Sequence, residues 1–280
     1  MIQELIQIII NHLKVGLAGE VSSVNSAIRP GPITDPTQSS RPKWSLEAEE
    51  YTVLASPPDD TTAQPRPVEG RQRIAVNGGN PAGPYPLSSP PLADSLEMKV
   101  VFDEGLLTER SESLLPGIDF SVDLPNAEFT VLKDITGADA LRVRYSFVGI
   151  LNVQEFEQRF TLKTFLDTWT NSDRYLSLPH AIIASRHAKI VEQFNFLSPT
   201  VITANSYLAQ PLISRIRLIR QEQVPRTSRQ RLVEINWTSD YLVKGQVRLG
   251  QTIAGGYGII TNIRTPGQTG PGIDLRPDLG

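Results

Sequence analysis

The chain has three histidines, His12, His180 and His187, the side chains best suited to titrate near neutral pH or to bind a metal. His180 and His187 are seven residues apart, two turns along one helical face. Metal-binding pairs on a helix are spaced by four, so that one ion reaches both rings. Glu192 lies nearby but does not complete a site. The expectation is solvated or capping histidines and no metal. Asp59 and Asp60 stand side by side next to Thr61 and Thr62. Paired carboxylates work as acid and base when their surroundings shift their pKa values. A polar loop supplies no such surroundings. Gly250, Gly255, Gly256 and Gly258 resemble a phosphate loop, but no Lys-Ser/Thr follows and no helix opens after them. A strand turn is expected there. There is no Gly-x-Ser-x-Gly nucleophile elbow. Cysteine is absent, which removes disulfides, thiolate chemistry and cysteine-ligated metals. The sequence therefore points away from an enzyme, a cofactor or a small-molecule substrate.

The elements that carry these residues begin with a helix. Ile2, Leu5, Ile6, Ile9, Ile10, Leu13 and Leu17 recur at helical spacing, and Gly16 and Gly19 mark the end. Its apolar face is wide and must pack on something, either its own domain or a neighbouring subunit. The run is broken by Gln3, Glu4, Gln7, Asn11 and Lys14 and has no basic cluster before it, so neither an export signal nor a membrane span is expected.

Residues 29–92 hold 13 of the 22 prolines. Two strands are expected inside this stretch, over 43–54 and 71–76, the second closed by Asn77-Gly78-Gly79. Residues 56–70 read as a loop long enough to be functional. From Leu96 the pattern alternates. Met98, Val100 and Phe102 share a face, as do Ile118, Phe120, Val122 and Leu124. Leu141 to Phe147 and Phe156 to Leu166 form two further runs, with Gly149 and Asn152 marking a bulge or turn between them. A helix is expected over 180–194, with Pro179 in its first turn. Strands follow over 214–222, 231–237, 241–249 and 257–263, with Gly255-Gly256 breaking the last two.

The fold class is α+β, mainly β: an antiparallel sandwich or partly closed barrel of eight to ten strands, with an N-terminal helix and one internal helix. The expected organisation is a helix over 1–20, a strand-rich domain over 21–264 with a Pro-rich insertion at 29–92, and a Gly/Pro-rich tail over 265–280.

Charge is unevenly spread. Residues 94–140 hold eleven acidic and three basic residues, and residues 200–280 hold ten basic and five acidic ones. Arg215, Arg217, Arg220, Arg226, Arg229 and Arg231 lie in the basic stretch. The two stretches pair within one domain, lie on solvated faces, or join copies head to tail, which closes rings when the rotation permits. Net charge is −3, and aromatics are sparse in the basic run, so nucleic acid is not an expected partner.

The opening Met1-Ile2-Gln3-Glu4-Leu5-Ile6, followed by a strand-rich region, resembles the cap and tail-terminator proteins of contractile phage tails and phage-tail-like injection systems. Residues 142–165 and the basic strands over 214–237 fit that plan. The resemblance implies a hexameric ring that ends tube and sheath growth, with tube and sheath subunits as partners. It also implies a cytoplasmic protein assembled into a virion or injection particle. Candidate interface residues are Ile2, Leu5, Ile6, Ile9 and Leu13 on the helix, and Arg215, Arg217, Arg220, Arg229 and Arg231 on the basic strands. On this reading, deleting residues 1–19 stops assembly and leaves the β core folded. Two alternatives stay open. One is another tail part, such as a baseplate, neck or adaptor subunit. The other is a carbohydrate-binding or adhesion module using Trp44, Trp169, Trp237 or Tyr257.

Overall fold

A computed structural model describes residues 2–21, 23–32, 42–54, 66–106, 108–166, 172–197, 207–224, 235–252, 262–263 and 273–274. Along the chain the elements are α1 (Ile2–Leu17), α2 (Val24–Ala27), β1 (Ile28–Pro30), β2 (Lys43–Val53), β3 (Arg66–Ala75), β4 (Tyr85–Pro86), β5 (Glu97–Phe102) and β6 (Arg110–Leu114). They continue as β7 (Phe120–Asp123), β8 (Glu128–Val131), β9 (Ala140–Leu166), α3 (Ser172–Ser185), α4 (His187–Leu197), β10 (Tyr207–Val224), β11 (Ile235–Thr252), β12 (Asn262–Ile263) and β13 (Ile273–Asp274). The fold is α+β and mainly β, with antiparallel sheets apart from the short parallel pair β1–β2.

β9 is the spine, a single strand of 27 residues. Its second half is flanked by β2 on one edge and β11 on the other, so that Phe165 faces both Lys43 and Asn236. Its first half is flanked by β3 and β5, so that Arg144 faces both Arg71 and Glu97. The main sheet runs β1-β2-β9-β11-β10, with β3 and the β5–β6 pair added along the first half of β9. The expected break at Gly149 and Asn152 is absent. Gly149 is paired on both edges, to Arg66 and to Thr252, and these ladders override the weak strand preference of glycine and asparagine.

Two cores lie along this spine. Leu141, Val143, Tyr145 and Phe147 are buried against β5 and a small sheet of order β4-β8-β7, where Tyr85, Phe120, Phe129 and Val131 meet them. Phe156, Phe160 and Leu162 are buried against α1, α3 and α4. The first set is odd-numbered and the phenylalanines Phe156 and Phe160 are even-numbered, so the two cores take opposite faces of one ribbon. The sandwich half and the helix-covered half are thus joined by a shift in which face is apolar. Between β5 and β11 the edge of β9 is closed by a loop. Leu92 N–H donates to Ser146 O at 2.7 Å, and Ser95 Oγ lies 3.1 Å from Ser146 N and 3.2 Å from its oxygen.

Other departures from the sequence reading have local causes. β7 covers only the middle of the expected 118–124 run, and Ile118 and Leu124 are exposed because the turn at Pro116-Gly117 comes first. The expected loop over 56–70 becomes β3 from Arg66, which pairs with β9. The strands expected over 231–237 and 241–249 are one strand, β11, from Ile235 onward. The helix expected over 180–194 is two helices, and Pro179 is buried inside the first rather than in its opening turn. β6 and β8 were not anticipated. Asp59, Asp60, Gly255, Gly256, Gly258, Trp169, Tyr257, Arg226, Arg229 and Arg231 lie outside the described residues, as does most of the 265–280 tail, in which Ile273 pairs with Ile263.

Candidate interaction surfaces

Each histidine ties a helix to another element. In α1, His12 is buried, with Nε2 3.1 Å from Gln193 Oε1 and Nδ1 2.9 Å from Arg186 Nη1. Arg186 can only donate, so Nδ1 accepts and Nε2 carries the proton. Burial lowers the pKa of His12, and the Arg186 charge adds to this against the Gln193 hydrogen bond. His180 contacts the Tyr241 hydroxyl through Nδ1, and its Nε2 lies 2.9 Å from Gln221 Nε2. Burial lowers its pKa too. His187 Nε2 accepts from Ile216 N–H at 3.0 Å. Among the described residues no group of three His, Cys, Asp or Glu side chains could hold a metal ion.

The densest polar cluster surrounds Arg142, whose side chain is 1% exposed. Its guanidinium lies 3.1 Å from Glu104, 3.5 Å from Glu109 and 3.7 Å from Glu192. Arg73 reaches the other oxygen of Glu104 at 2.6 Å. Burial pushes the Glu104 carboxyl up, but hydrogen bonds and charge from Arg73 and Arg142 outweigh it and hold the group below its ordinary range. The cluster clamps the loop after β5 between β9, β3 and α4. A groove of about 700 Å³ runs beside it between α4 and β5–β6, walled by Leu96, Met98, Leu114, Val191 and Phe196. Most charges in its wall are paired: Arg144 with Glu97, Lys99 with Glu192, Arg142 with Glu104 and Arg71 with Glu69. The groove is a cleft where a helix crosses a sheet.

Two surfaces stand out as open among the described residues. The first is β10, which among those residues pairs only with β11 and is an edge of the main sheet. An edge strand presents unpaired backbone groups unless something covers them. Here α4 covers part of it. Asn195 exchanges two hydrogen bonds with Ile213, and His187 takes the Ile216 N–H. Among the described residues these caps end at Ile216. Beyond it Arg217, Leu218, Ile219 and Arg220 are exposed, as is Arg215, and the strand bulges between Leu218 and Arg220.

The second surface lies at the other end of the sheet. Leu115 and Ile118 are 55% and 70% exposed on the turn before β7, and Leu132 is 58% exposed just after β8. The turn is knit by Asp119, whose carboxylate accepts from Leu115 N–H at 2.8 Å and whose carbonyl accepts from Leu132 N–H at 2.7 Å. Asp119, Asp134 and the Glu112–Lys133 ion pair lie within three residues of these side chains in sequence. Three large apolar side chains this exposed, on two loops joined by the Leu132–Asp119 hydrogen bond, are unusual away from interaction sites.

The structure places the sequence candidates unequally. Leu5, Ile6, Ile9 and Leu13 are buried in the protein's own helical core, and Ile2 packs at its margin. They are not an open interface, because the wide face of α1 is covered by β2, β9, β11, α3 and α4. Arg215, Arg217 and Arg220 are exposed on one strand, as a surface site requires. Trp44 is wholly buried with its ring 6.2 Å from Tyr175, so it is not an open sugar-stacking face, and Trp237 is half-buried with its indole nitrogen enclosed. The surface at Leu115, Ile118 and Leu132 was missed. The signal was present in Pro116-Gly117, which ends a strand pattern and turns Ile118 outward. No protein-family model matches the chain, and no curated protein matches it either. Among the described residues no helix is long and apolar enough to cross a membrane.

Proposed function

We propose that this protein is a structural subunit of a phage-tail-like assembly, a ring-forming cap or terminator that ends tube and sheath growth. It acts through shape and contact, without turnover. The observation that carries this reading is the separation of charge along a stiff scaffold. The acidic stretch over 94–140 finds its ion partners in Arg73, Arg142, Arg144 and Lys133. Among the described residues none of those partners comes from β10 or β11, so the basic strand is left facing outward. The resemblance of residues 1–6 to cap and terminator proteins points the same way. Ring formation follows if such surfaces on successive copies meet.

The test is assembly in the host of the particle. Removing the protein should yield tubes and sheaths of uncontrolled length, and adding it back should restore uniform particles with the subunit at one end. Particles of normal length without it would overturn the cap reading. The subunit found along the particle or at its base would favour another tail part instead.

A further inference from the structure

The two open surfaces are complementary, and they cannot reach each other within one chain. Leu218 pairs with Tyr241, which pairs with Phe160 on the second half of β9. The small sheet packs on the first half, no closer than Phe147. At least 13 residues of continuous strand separate these positions, roughly 40 Å at about 3.3 Å per residue. Each surface is a few exposed aliphatic side chains with a charged rim. On β10, Leu218 and Ile219 sit among Arg215, Arg217, Arg220 and Glu222, a net charge of +2. On the turn, Leu115, Ile118 and Leu132 sit among Glu112, Asp119, Asp134 and Lys133, a net charge of −2.

We propose that the uncapped half of β10 on one copy binds the Leu115–Ile118–Leu132 turn on the next copy, head to tail. The inference rests on the assembly reading and names its faces. The apolar centres supply the affinity, and the opposed rims supply orientation and speed of encounter. An arginine rim repels a second arginine rim, so β10 does not self-pair. The acidic turn likewise repels its own kind. The contact is therefore heterologous and propagates until it closes. The caps from Asn195 and His187 have a purpose here, for they hold the β10 edge as far as Ile216 and, among the described residues, leave the stretch carrying Arg217 and Arg220 uncapped.

Two neutral variants test this: Ile118→Ser with Leu132→Ser, and Leu218→Ser with Ile219→Ser. All four positions are exposed, so folding is spared. Wild-type protein, followed by sedimentation velocity over a concentration series, should self-associate more at low salt than at high salt. Each variant alone should associate more weakly by about 10-fold or more. An equimolar mixture of the two should form a dimer and nothing larger, because one intact turn and one intact β10 remain. A mixture that stays monomeric, or a single variant that associates like wild type, overturns the pairing. Because the chain has no cysteine, Leu132→Cys mixed with Leu218→Cys gives an independent readout. Oxidation should cross-link the two variants to each other in preference to themselves, and equal self-cross-linking overturns the proposal. Wild-type protein that is monomeric throughout also overturns it, while leaving the assembly role to the particle-length experiment.

Discussion

Asn195 and Ile213 exchange two hydrogen bonds, Nδ2–H to the Ile213 carbonyl at 3.0 Å and the Ile213 N–H to Oδ1 at 2.8 Å. The amide of a helix side chain thus does for β10 what a neighbouring strand would do. Both partners are buried, so loss of the amide strands two backbone groups away from water. Asn195→Leu should cost about 2–6 kcal/mol, at about 1–3 kcal/mol for each of the two buried groups left unsatisfied. Urea unfolding would record this as a lower midpoint at unchanged slope. An unaltered midpoint would mean that water replaces the amide.

The histidines make stability depend on pH in a defined direction. Both His12 and His180 titrate below the ordinary 6.5, chiefly because they are buried. Just below that value the unfolded chain binds protons that the folded chain refuses, so stability rises with pH. This contribution is complete above 6.5 and is lost as the pH falls toward the folded-state values. Urea midpoints taken from pH 7.5 down to pH 5 should decline, and His180→Asn should flatten the decline. A variant with the same slope as wild type would remove His180 from the account.

Arg142 should be the costliest single charge to delete. Arg142→Met leaves Glu104 and Glu109, both largely enclosed, without their shared cation. Breaking a buried pair in this way typically costs about 3–5 kcal/mol. Chemical denaturation would measure it, and acidification should partly rescue the variant by neutralising the stranded carboxylates. A loss below about 1 kcal/mol would place the cluster with exposed ion pairs.

Gly245 pairs with Ile213, beside a second bulge of β10 between Ile213 and Arg215. A Cβ there would sit 2.3 Å from the Leu212 carbonyl oxygen and 2.7 Å from the Phe156 ring. Neither atom yields easily, since one is backbone and the other is core. Gly245→Ala should destabilise by about 3 kcal/mol, the upper end for overpacking, as thermal unfolding would show. A melting temperature within a degree of wild type would refute the close contact.

Deleting residues 1–19 should unfold the helical half of the protein rather than spare the β core. Eight residues of α1 are buried, and Leu5, Ile6, Ile9 and Leu13 belong to one cluster with Trp44 and Phe160. Even Ile9→Ala, at a position with no exposure, should cost about 2–5 kcal/mol. Circular dichroism of the truncated chain would distinguish a folded remnant from a collapsed one.

What could be read from the residues follows the range of the forces involved. α1 was legible because its pattern is local and complete, with Gly19 just past its end at Leu17. The alternation of β5 and of both halves of β9 was legible for the same reason. The continuity of β9 was not, since Gly149 is held in place by strands more than 80 residues before it and 100 after it. Arg142 looked like a solvent-facing alternate, because the helix and loop that enclose it are remote in sequence. Among the interface candidates the arginines of β10 were found by charge alone, whereas the apolar face of α1 gave no hint of which body would cover it.

The long spine also sets the order in which this protein can be made. β2 and β3 have their main partners in β9, whose last residue, Leu166, is synthesised more than 100 residues after the end of β2. At about 5–20 residues per second, β2 waits roughly 5–20 s on the ribosome before its partner has been made. Through that interval the seven large aliphatic side chains buried on α1 have no sheet to lie on. Distant pairing of this kind also slows the search for the native topology. The nascent chain is thus a natural client for chaperones that hold apolar helices, and its yield should depend on them more than the stability of the finished fold would suggest.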